Sequence, residues 1–198
     1  DKSARLSHVE SAALALTGLT ALVTIEDTLQ LKAGEKILIQ GGAGGVAGFA
    51  IQLAKHLGAT VITTASAANH DYIRDLGADQ IIDYNTTDFA VAVSGCDAVF
   101  DTVGGAVAAK SFEVLKPGGR AAFIASGATA PAPPRDDVRL LRPQVGRGRA
   151  HLDRIVELVE AGAVSVPPIK TYSLSDAVAA HRESEGRHLQ GKLVFNVR

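Results

Sequence analysis

A glycine-rich segment between a short apolar run and an amphipathic run constrains the fold of this chain more than any other feature. The segment, residues 37–59, reads ILIQGGAGGVAGFAIQLAKHLGA. It matches G-x-G-x-x-[GA], in which Gly42 permits a tight turn, Gly44 lets the backbone approach a pyrophosphate and Ala47 lets a helix pack closely on a strand. The segment predicts a strand, a phosphate-binding turn and a helix whose N-terminus faces the anion. A glycine-rich turn without a ligand is the alternative.

Short apolar runs separated by helical patterns recur along the chain. The runs are residues 37–39, 61–64, 80–82, 98–100, 121–124 and 193–195. Helical patterns cover residues 46–57, 106–115 and 152–163, and the second of them ends at KPGG. Because the runs lack strict alternation, they predict parallel strands that helices cover on both faces. We expect a doubly wound parallel sheet, which is a Rossmann fold with three α/β/α layers.

Two segments lie outside this regular pattern. Ser7 and Glu10 form a capping box that begins a helix over residues 8–29, with a weak point at Gly18. Residues 128–150 are rich in proline and arginine without clear periodicity, which predicts a long loop or an irregular edge strand. We expect residues 1–30 to be a helical lead-in and residues 31–198 to be the Rossmann domain.

The composition limits the classes of partner and compartment. The formal net charge of −1 leaves no basic field for nucleic acid or an anionic membrane surface. The longest apolar stretch, residues 12–23, is too short and too interrupted to span a bilayer. A single cysteine excludes an intramolecular disulfide, so we expect a cytoplasmic protein. The chain begins with Asp1 and contains no methionine, which indicates a piece of a longer protein.

The residues after the second predicted strand bear on the choice of dinucleotide. NAD sites place a carboxylate there to hold the ribose 2′-hydroxyl, whereas residues 61–69, VITTASAAN, contain none. A carboxylate would repel the 2′-phosphate of NADP, while Thr64, Ser66 and Asn69 can donate hydrogen bonds to it. The sequence therefore favours NADP(H) over NAD, although this loop contains neither arginine nor lysine.

Five blocks of sequence occur in an order that is typical of one enzyme superfamily. They are the stretch from LTGLTA through ITTAS at residues 16–66, then LGADQIIDY, VFDTVGG, LKPGGR and GKLVF. Together they resemble the cofactor half of the medium-chain dehydrogenase/reductase superfamily, and most closely its zinc-independent quinone oxidoreductase branch. The resemblance covers residues 6–197 and departs at Ala47 and Gly48, where the branch usually has glycine followed by serine or threonine. It implies a β-rich substrate domain ahead of Asp1, toward which the last segment of this chain returns.

The resemblance also assigns individual residues to the cofactor site. The residues implied at the pyrophosphate are Gly42, Ala43, Gly44, Gly45 and Val46. Those implied at the 2′-phosphate are Ser66, Asn69 and Tyr84, with Asn69 standing where many members have lysine. Those that follow the fourth and fifth strands and line the crevice are Val103, Gly104, Ala125 and Ser126. Thr20 and Ser126 are expected to frame the nicotinamide.

Neither a metal site nor an acid/base constellation is expected. In the zinc-dependent relatives a cysteine that binds the catalytic zinc occupies the position of Leu16, and leucine cannot bind metal. Cys96 has no cysteine or histidine partner at ligand spacing, so we interpret it as a structural thiol. No histidine has a partner at triad or metal spacing, and hydride transfer does not require one because the cofactor performs the chemistry.

These observations lead to one main hypothesis and two alternatives. The main one is the cofactor domain of an NADPH-dependent oxidoreductase that transfers hydride to a quinone or an α,β-unsaturated carbonyl, with little activity as this chain alone. The alternatives are an enoyl-thioester reductase, either freestanding or a synthase module, and a non-catalytic nucleotide-sensing or structural relative. Family members commonly dimerise through an edge strand, for which residues 137–141, DVRLL, are the candidate.

Overall fold

Six parallel strands form the central sheet in the computed structural model, which describes residues 3–126, 129–144, 148–186 and 189–197. The strands are β1 Lys36–Gln40, β2 Thr60–Ala65, β3 Gln80–Asp83, β4 Cys96–Asp101, β5 Leu115–Phe123 and β6 Arg139–Leu141. Their spatial order is β3-β2-β1-β4-β5-β6, and every pair is parallel. The strands β2 and β3 thus follow one another on one side of β1, and the strands β4, β5 and β6 follow one another on its other side. This is the doubly wound topology that the sequence predicted.

Helices cover both faces of this sheet. The helices are α1 His8–Leu22, α2 Gly45–His56, α3 His70–Asp75, α4 Phe89–Ala92, α5 Gly105–Lys110, α6 Arg149–Glu160 and α7 Ala177–Glu185. The last of them contacts the strands at residues 169–173 and 192–196, outside this sheet. Alternate strand residues belong to different cores: Ile37 and Ile39 of β1 pack into one hydrophobic cluster, while Leu38 packs into the other. Because successive side chains of a strand point to opposite faces, the two clusters confirm the three α/β/α layers.

Gly18 allows three helices to approach one another, rather than weakening α1 as the sequence predicted. The capping box begins α1 as expected, with the Glu10 amide donating to Ser7 Oγ at 3.1 Å, and the helix continues unbroken through Gly18. A Cβ on Gly18 would lie 3.0 Å from Ile155 Cδ1 of α6 and 3.1 Å from Phe49 Cε2 of α2. The irregularity occurs later, where Val23–Thr28 widens into a π-helical turn.

The apolar stretch of residues 12–23 is itself too short to span a bilayer, but the longer helical segment His8–Thr28 is long and apolar enough to cross a membrane by length and composition. Within the structure, 56% of its most apolar window is buried, and α1 packs against α2, α6 and the strand at residues 192–196. A mostly buried helix of this kind is typical of the core of a soluble protein.

The KPGG sequence lies inside a strand, not at the end of a helix as predicted. α5 ends at Lys110, a 3₁₀ turn covers Ser111–Val114, and β5 begins at Leu115. Cys96 pairs with Leu115 but Ala98 pairs with Arg120, so the residues between them form a bulge in β5. Gly118 has φ +79° at this bulge, a backbone conformation that favours glycine.

The predicted strand over residues 193–195 exists but does not join the central sheet. It is β8 Lys192–Asn196, which pairs in parallel with β7 Ile169–Ser173 in a separate two-stranded sheet. The irregular segment after β5 contributes β6 to the edge of the central sheet, beside β5. The predicted edge strand at residues 137–141 is therefore confirmed as an edge, while its role in dimerisation stays a prediction.

At the amino-terminal end of the sheet, Arg120 of β5 contacts Glu35, which precedes β1, and Asp97 of β4. Its guanidinium donates to Glu35 Oε2 at 2.6 Å and to the carbonyl of Asp97 at 3.3 Å. Both side chains of the Arg120–Glu35 pair are largely buried, at 11% and 21% exposure. Burial by itself raises the pKa of Glu35, but the hydrogen bond and charge of Arg120 and the backbone N–H of Lys32 outweigh it and lower the pKa.

We expect Glu35→Gln to lower the free energy of unfolding at pH 7 by about 1–3 kcal/mol, since it leaves a mostly buried guanidinium without its counter-charge. Because the folded pKa of Glu35 is lowered, its contribution is present above the unfolded value of about 4.3 and is lost as the pH falls through the folded value. Urea unfolding at pH 7 and pH 3 measures the difference.

The exposed Glu113, changed to glutamine, is the matched control and should show no such loss. A gap between wild type and Glu35→Gln that stays the same size at pH 3 would show that the charge of Glu35 is not what stabilises this corner.

Candidate nucleotide-binding cleft

One cleft of about 980 Å³ lies across the carboxyl ends of the central strands. Its walls come from residues within 40–44, 64–69, 84–89 and 102–110, which follow β1, β2, β3 and β4, and from Ala125 after β5 and Leu189. Ligands of open α/β sheets bind outside the carboxyl ends of the strands, where the strand order reverses. Here that reversal falls between β1 and β4, in the middle of the cleft.

The structure brings most of the predicted site residues together. Those that line the cleft are Ala43, Gly44, Thr64, Ser66, Asn69, Tyr84, Val103 and Ala125. Those that lie next to a lining residue in sequence are Gly42, Gly45, Gly104 and Ser126, while Val46 lies two residues after the lining Gly44. Thr20 is not among the lining residues; it lies on α1, where its hydroxyl donates to the carbonyl of Leu16 at 2.8 Å.

Successive glycines of the turn meet different geometric requirements. The tight turn falls at Gly41, with φ +77°, one residue before the glycine to which the sequence assigned it. Gly42 instead lies against β2: its amide donates to the carbonyl of Thr64 at 3.0 Å, and a Cβ there would overlap the Thr63 hydroxyl. At Gly44 a Cβ would make only an ordinary contact, 3.4 Å from the carbonyl oxygen of Gly41. The fold therefore requires glycine at position 42 but not at position 44.

Gly44 is also the N-cap residue of α2, and it lines the cleft. It has extended backbone angles of φ −72° and ψ 154° and provides no side-chain hydrogen bond to the helix. The first amides of a helix have no partner within it, and the helix dipole makes that end positive. The first turn of α2 can therefore donate hydrogen bonds to an anion in the cleft.

Gln40, at the end of β1, connects the two halves of the cleft. Its buried side chain accepts a hydrogen bond from Thr64 Oγ1 at 2.6 Å and donates one to Ser111 Oγ at 3.1 Å. Its carbonyl accepts from Thr102 Oγ1 at 2.8 Å, and Thr64 Oγ1 accepts from the Gly41 amide at 3.2 Å. The hydroxyl of Thr64, which the sequence assigned to the 2′-phosphate, is thus engaged in holding the glycine turn.

The residues predicted at the 2′-phosphate lie along the wall formed by β2 and β3. Asn69 Nδ2 donates to Ser66 Oγ at 3.1 Å, and Tyr84 is 48% exposed. The first carboxylate after β2, Asp71, is paired with Arg74 at 2.6 Å on α3 and does not line the cleft. At Ser66, Asn69 and Tyr84 this wall therefore presents neutral hydrogen-bonding groups.

Asp101 shapes the opposite wall, at the end of β4. Its buried carboxylate accepts from the amides of Val103 at 3.1 Å and Gly104 at 2.8 Å. Burial raises the pKa of Asp101, and these two hydrogen bonds only partly offset it. A Cβ on Gly104 would lie 3.2 Å from Ala125 Cβ and 3.3 Å from Ser126 Oγ, so the ends of β4 and β5 nearly touch.

Ser126 follows the cleft-lining Ala125 and has a buried polar atom at this wall. Its Oγ is buried and has no hydrogen-bond partner among the described residues. A buried hydroxyl without a partner is costly, and a polar group of a bound cofactor would satisfy it. The donor turn of α2 and this hydroxyl both fit a dinucleotide that extends along the cleft.

Sequence reasoning missed the wall formed by the segment after β3 and by α5. Asp88 and Phe89 line the cleft here with Lys110 of α5, whose Nζ pairs with Asp88 Oδ2 and lies 5.9 Å from the centre of the Phe89 ring. The N-cap role of Asp88 before α4 is visible in the sequence as a helix-start signal. Its pairing with a residue on another helix is not.

The described residues contain no group of three or more His, Cys, Asp or Glu side chains that could hold a metal ion. Leu16 is 70% exposed on α1. Cys96 is buried at the start of β4, and burial raises the pKa of its thiol to about 11, so it stays protonated and unreactive at neutral pH.

Comparisons with known proteins identify the family. A family model described as zinc-binding dehydrogenase matches residues 76–195. The chain is 33% identical to the 2-haloacrylate reductase of a Burkholderia species, over 98% of this chain and 65% of that protein. It superposes on the quinone oxidoreductase of Coxiella burnetii with a TM-score of 0.93 and 38% identity, over all of this chain and 63% of the other. This chain belongs to the medium-chain dehydrogenase/reductase superfamily.

Within that superfamily it corresponds to the cofactor-binding domain of the zinc-independent quinone oxidoreductase branch. A mycobacterial protein complexed with NADPH has a TM-score of 0.89 and 29% identity over all of this chain and 67% of its own. The polyketide synthase protein NorB of Streptomyces orinoci is 35% identical over 96% of this chain, which is 9% of that protein. The chain thus spans 65% and 63% of the length of the two single-enzyme relatives named first.

We expect Thr64→Val to lower the free energy of unfolding by about 1–3 kcal/mol, because it leaves Gln40 Oε1 and the Gly41 amide without their buried partner. Thr64→Ser keeps the hydroxyl and should recover most of that loss. Urea unfolding of the two variants beside wild type measures it, and equal stability of the valine and serine variants would contradict the role given to the hydroxyl.

Proposed function

We propose that this domain binds NADP(H) for a reductase that transfers hydride to a quinone or to an α,β-unsaturated carbonyl. The observation that carries the proposal is the uncapped N-terminus of α2, which opens at Gly44 onto a cleft at the reversal of strand order. The reductases and quinone oxidoreductases among the relatives support the reaction class. The rest of such an enzyme, about one third of its length, would provide most of the substrate contacts.

Three features favour the phosphorylated cofactor. The wall after β2 and β3 offers the polar groups of Ser66, Asn69 and Tyr84, and the first carboxylate after β2, Asp71, is paired with Arg74. A carboxylate at the end of the second strand is what an NAD site uses to hold the ribose. The mycobacterial relative complexed with NADPH supports the same choice.

In this mechanism the residues of the chain bind and orient, while the cofactor supplies the hydride. The amides of Gly45 and Val46 would donate to the pyrophosphate, and Ser66, Asn69 and Tyr84 would hold the 2′-phosphate. Ser126, whose hydroxyl lacks a partner in the described part of the chain, would donate to the nicotinamide half. Gly104, which has no side chain, would leave room for the same half. No side chain of this domain is assigned to proton transfer.

A second candidate is an enoyl-thioester reductase, and the identity to NorB over almost the whole chain favours it. Both candidates use the same cofactor site, so this domain serves either reaction. Assays of the full-length protein with quinones, with 2-haloacrylate-type acids and with enoyl-coenzyme A substrates distinguish them, because a thioester reductase requires the thioester carbonyl.

We also propose that two copies associate through β6, whose outer edge pairs with none of the described strands. Strand pairing across a two-fold axis would continue the sheet and satisfy the unpaired backbone groups of the edge. Light scattering of the chain should give the mass of a dimer, and Leu140→Pro, which removes an edge amide, should give the monomer.

A cytoplasmic setting fits the buried, unreactive thiol of Cys96.

We expect Gly44→Val to abolish NADPH binding while the domain stays folded. The extended backbone at position 44 accommodates valine, but its side chain would occupy the space in front of the first turn of α2. Wild type should bind NADPH at least tenfold more tightly than NADH, because only NADPH carries the phosphate that the three polar side chains hold. Titrations followed by nicotinamide fluorescence measure both.

Gly148→Val is the matched control, since Gly148 is likewise an N-cap glycine, with φ −73° and ψ 144°, and it does not line the cleft. It should bind NADPH like wild type. Undiminished binding by Gly44→Val would place the pyrophosphate elsewhere, and equal affinity for NADH and NADPH would remove the role of Ser66, Asn69 and Tyr84.

A further inference from the structure

We propose that the Asp88–Lys110 ion pair recognises the adenine base of the dinucleotide by its amino-bearing edge. The inference rests on the proposed NADP(H) site and assigns the base specificity of that site to two residues outside its sequence motifs. The two side chains come from different elements, the N-cap of α4 and the end of α5, and meet at the cleft. They are the only charged residues among the described residues that line it.

The position of the pair corresponds to the adenosine end of a bound dinucleotide. The pyrophosphate belongs at the glycine turn after β1, and the nicotinamide half belongs beside the ends of β4 and β5, where Ser126 lies. The other half then extends past Ser66 toward the outer strand β3. The cleft wall there is the segment of residues 84–89, with the half-exposed side chains of Asp88 and Lys110 at 42% and 38% exposure.

Apolar surfaces beside the pair suit a flat aromatic base. Phe89 is buried to 8% exposure, and Val107, which lies on α5 with Lys110, also lines the cleft. Lys110 Nζ lies 5.9 Å from the centre of the Phe89 ring, which helps to fix the ammonium. A base between these surfaces would present its polar edge to the ion pair.

The charge balance of the pair favours a neutral base over the 2′-phosphate. Asp88 neutralises Lys110, so the pair offers one acceptor beside one donor and no net positive charge. Asp88 Oδ1 accepts from the Ala90 amide at 3.0 Å, yet each carboxylate oxygen keeps a free lone pair, and the ammonium keeps further N–H groups. Adenine presents a donor at its 6-amino group beside an acceptor at N1, which is the complementary pattern.

Hypoxanthine reverses that pattern, with an acceptor at position 6 and a donor at N1. If the sugar and phosphates hold the base in one pose, the 6-oxo oxygen of hypoxanthine faces the carboxylate of Asp88, and its N1–H faces the ammonium of Lys110. Two acceptors then oppose each other at the first contact, and two donors at the second. Sites built to bind a polar group discriminate strongly against an analogue that cannot pair with them. The pair should therefore reject the hypoxanthine form of the cofactor.

The test compares NADPH with reduced nicotinamide hypoxanthine dinucleotide phosphate, which differs only in the base. Fluorescence titration of the chain should show about tenfold or greater preference for NADPH, as expected for hydrogen bonds to charged groups. Asp88→Asn keeps an acceptor for the α4 cap but offers N–H groups where the 6-amino group needs an acceptor. It should reduce the preference to about threefold or less, and Lys110→Met should reduce it similarly.

Asp153→Asn, which removes an exposed ion pair with Arg149 away from the cleft, is the control and should keep the wild-type preference. The ratio of the two affinities separates recognition from a structural role, because a loosened wall would weaken both dinucleotides equally. Equal affinity of wild type for both, or an unchanged ratio in Asp88→Asn, would overturn the inference while the NADP(H) site stands. Failure of wild type to bind either dinucleotide would overturn the proposed function itself.

Discussion

The hydrogen bonds of Gln40 connect the two halves of the sheet at the point where its strand order reverses. The buried amide links β2 through Thr64 to the turn after α5 through Ser111, at 2.6 Å and 3.1 Å. Its carbonyl holds Thr102 after β4 at 2.8 Å. A buried amide that lost one of these partners would leave a polar group unsatisfied, so the strand ends are fixed relative to one another. The cleft has its shape because of this junction.

The remaining features of the cleft depend on that fixed junction. Gly42 can lie against β2 only because it lacks a Cβ, and this places Gly44 and the first turn of α2 over the crevice. Asp101 holds the turn on the other side through two amides, while Ser126 keeps a buried hydroxyl without a partner among the described residues. Backbone donors and a few polar groups held in place by a rigid scaffold are what a largely pre-formed ligand site requires.

The strands, the glycine turn and the capping box were predictable because each leaves a local pattern in the sequence. Gly18 and KPGG were interpreted wrongly because their roles depend on distant partners: Phe49 and Ile155 for the glycine, and the bulged pairing with β4 for KPGG. Local spacing likewise could not show that β8 leaves the central sheet, nor that Lys110 meets Asp88. Sequence patterns thus predict helices and strands, whereas the contacts between those elements determine the structural role of a residue.

We propose that the glycine turn and the first turn of α2 hold the pyrophosphate of NADP(H). Amide hydrogen exchange, measured with and without saturating NADPH, tests it most directly because the proposed donors are backbone N–H groups. We expect binding to slow exchange at residues 44–47 and in the segment of residues 66–69, with little change in α6 or α7. Unchanged exchange at residues 44–47 in a chain that binds NADPH would contradict it.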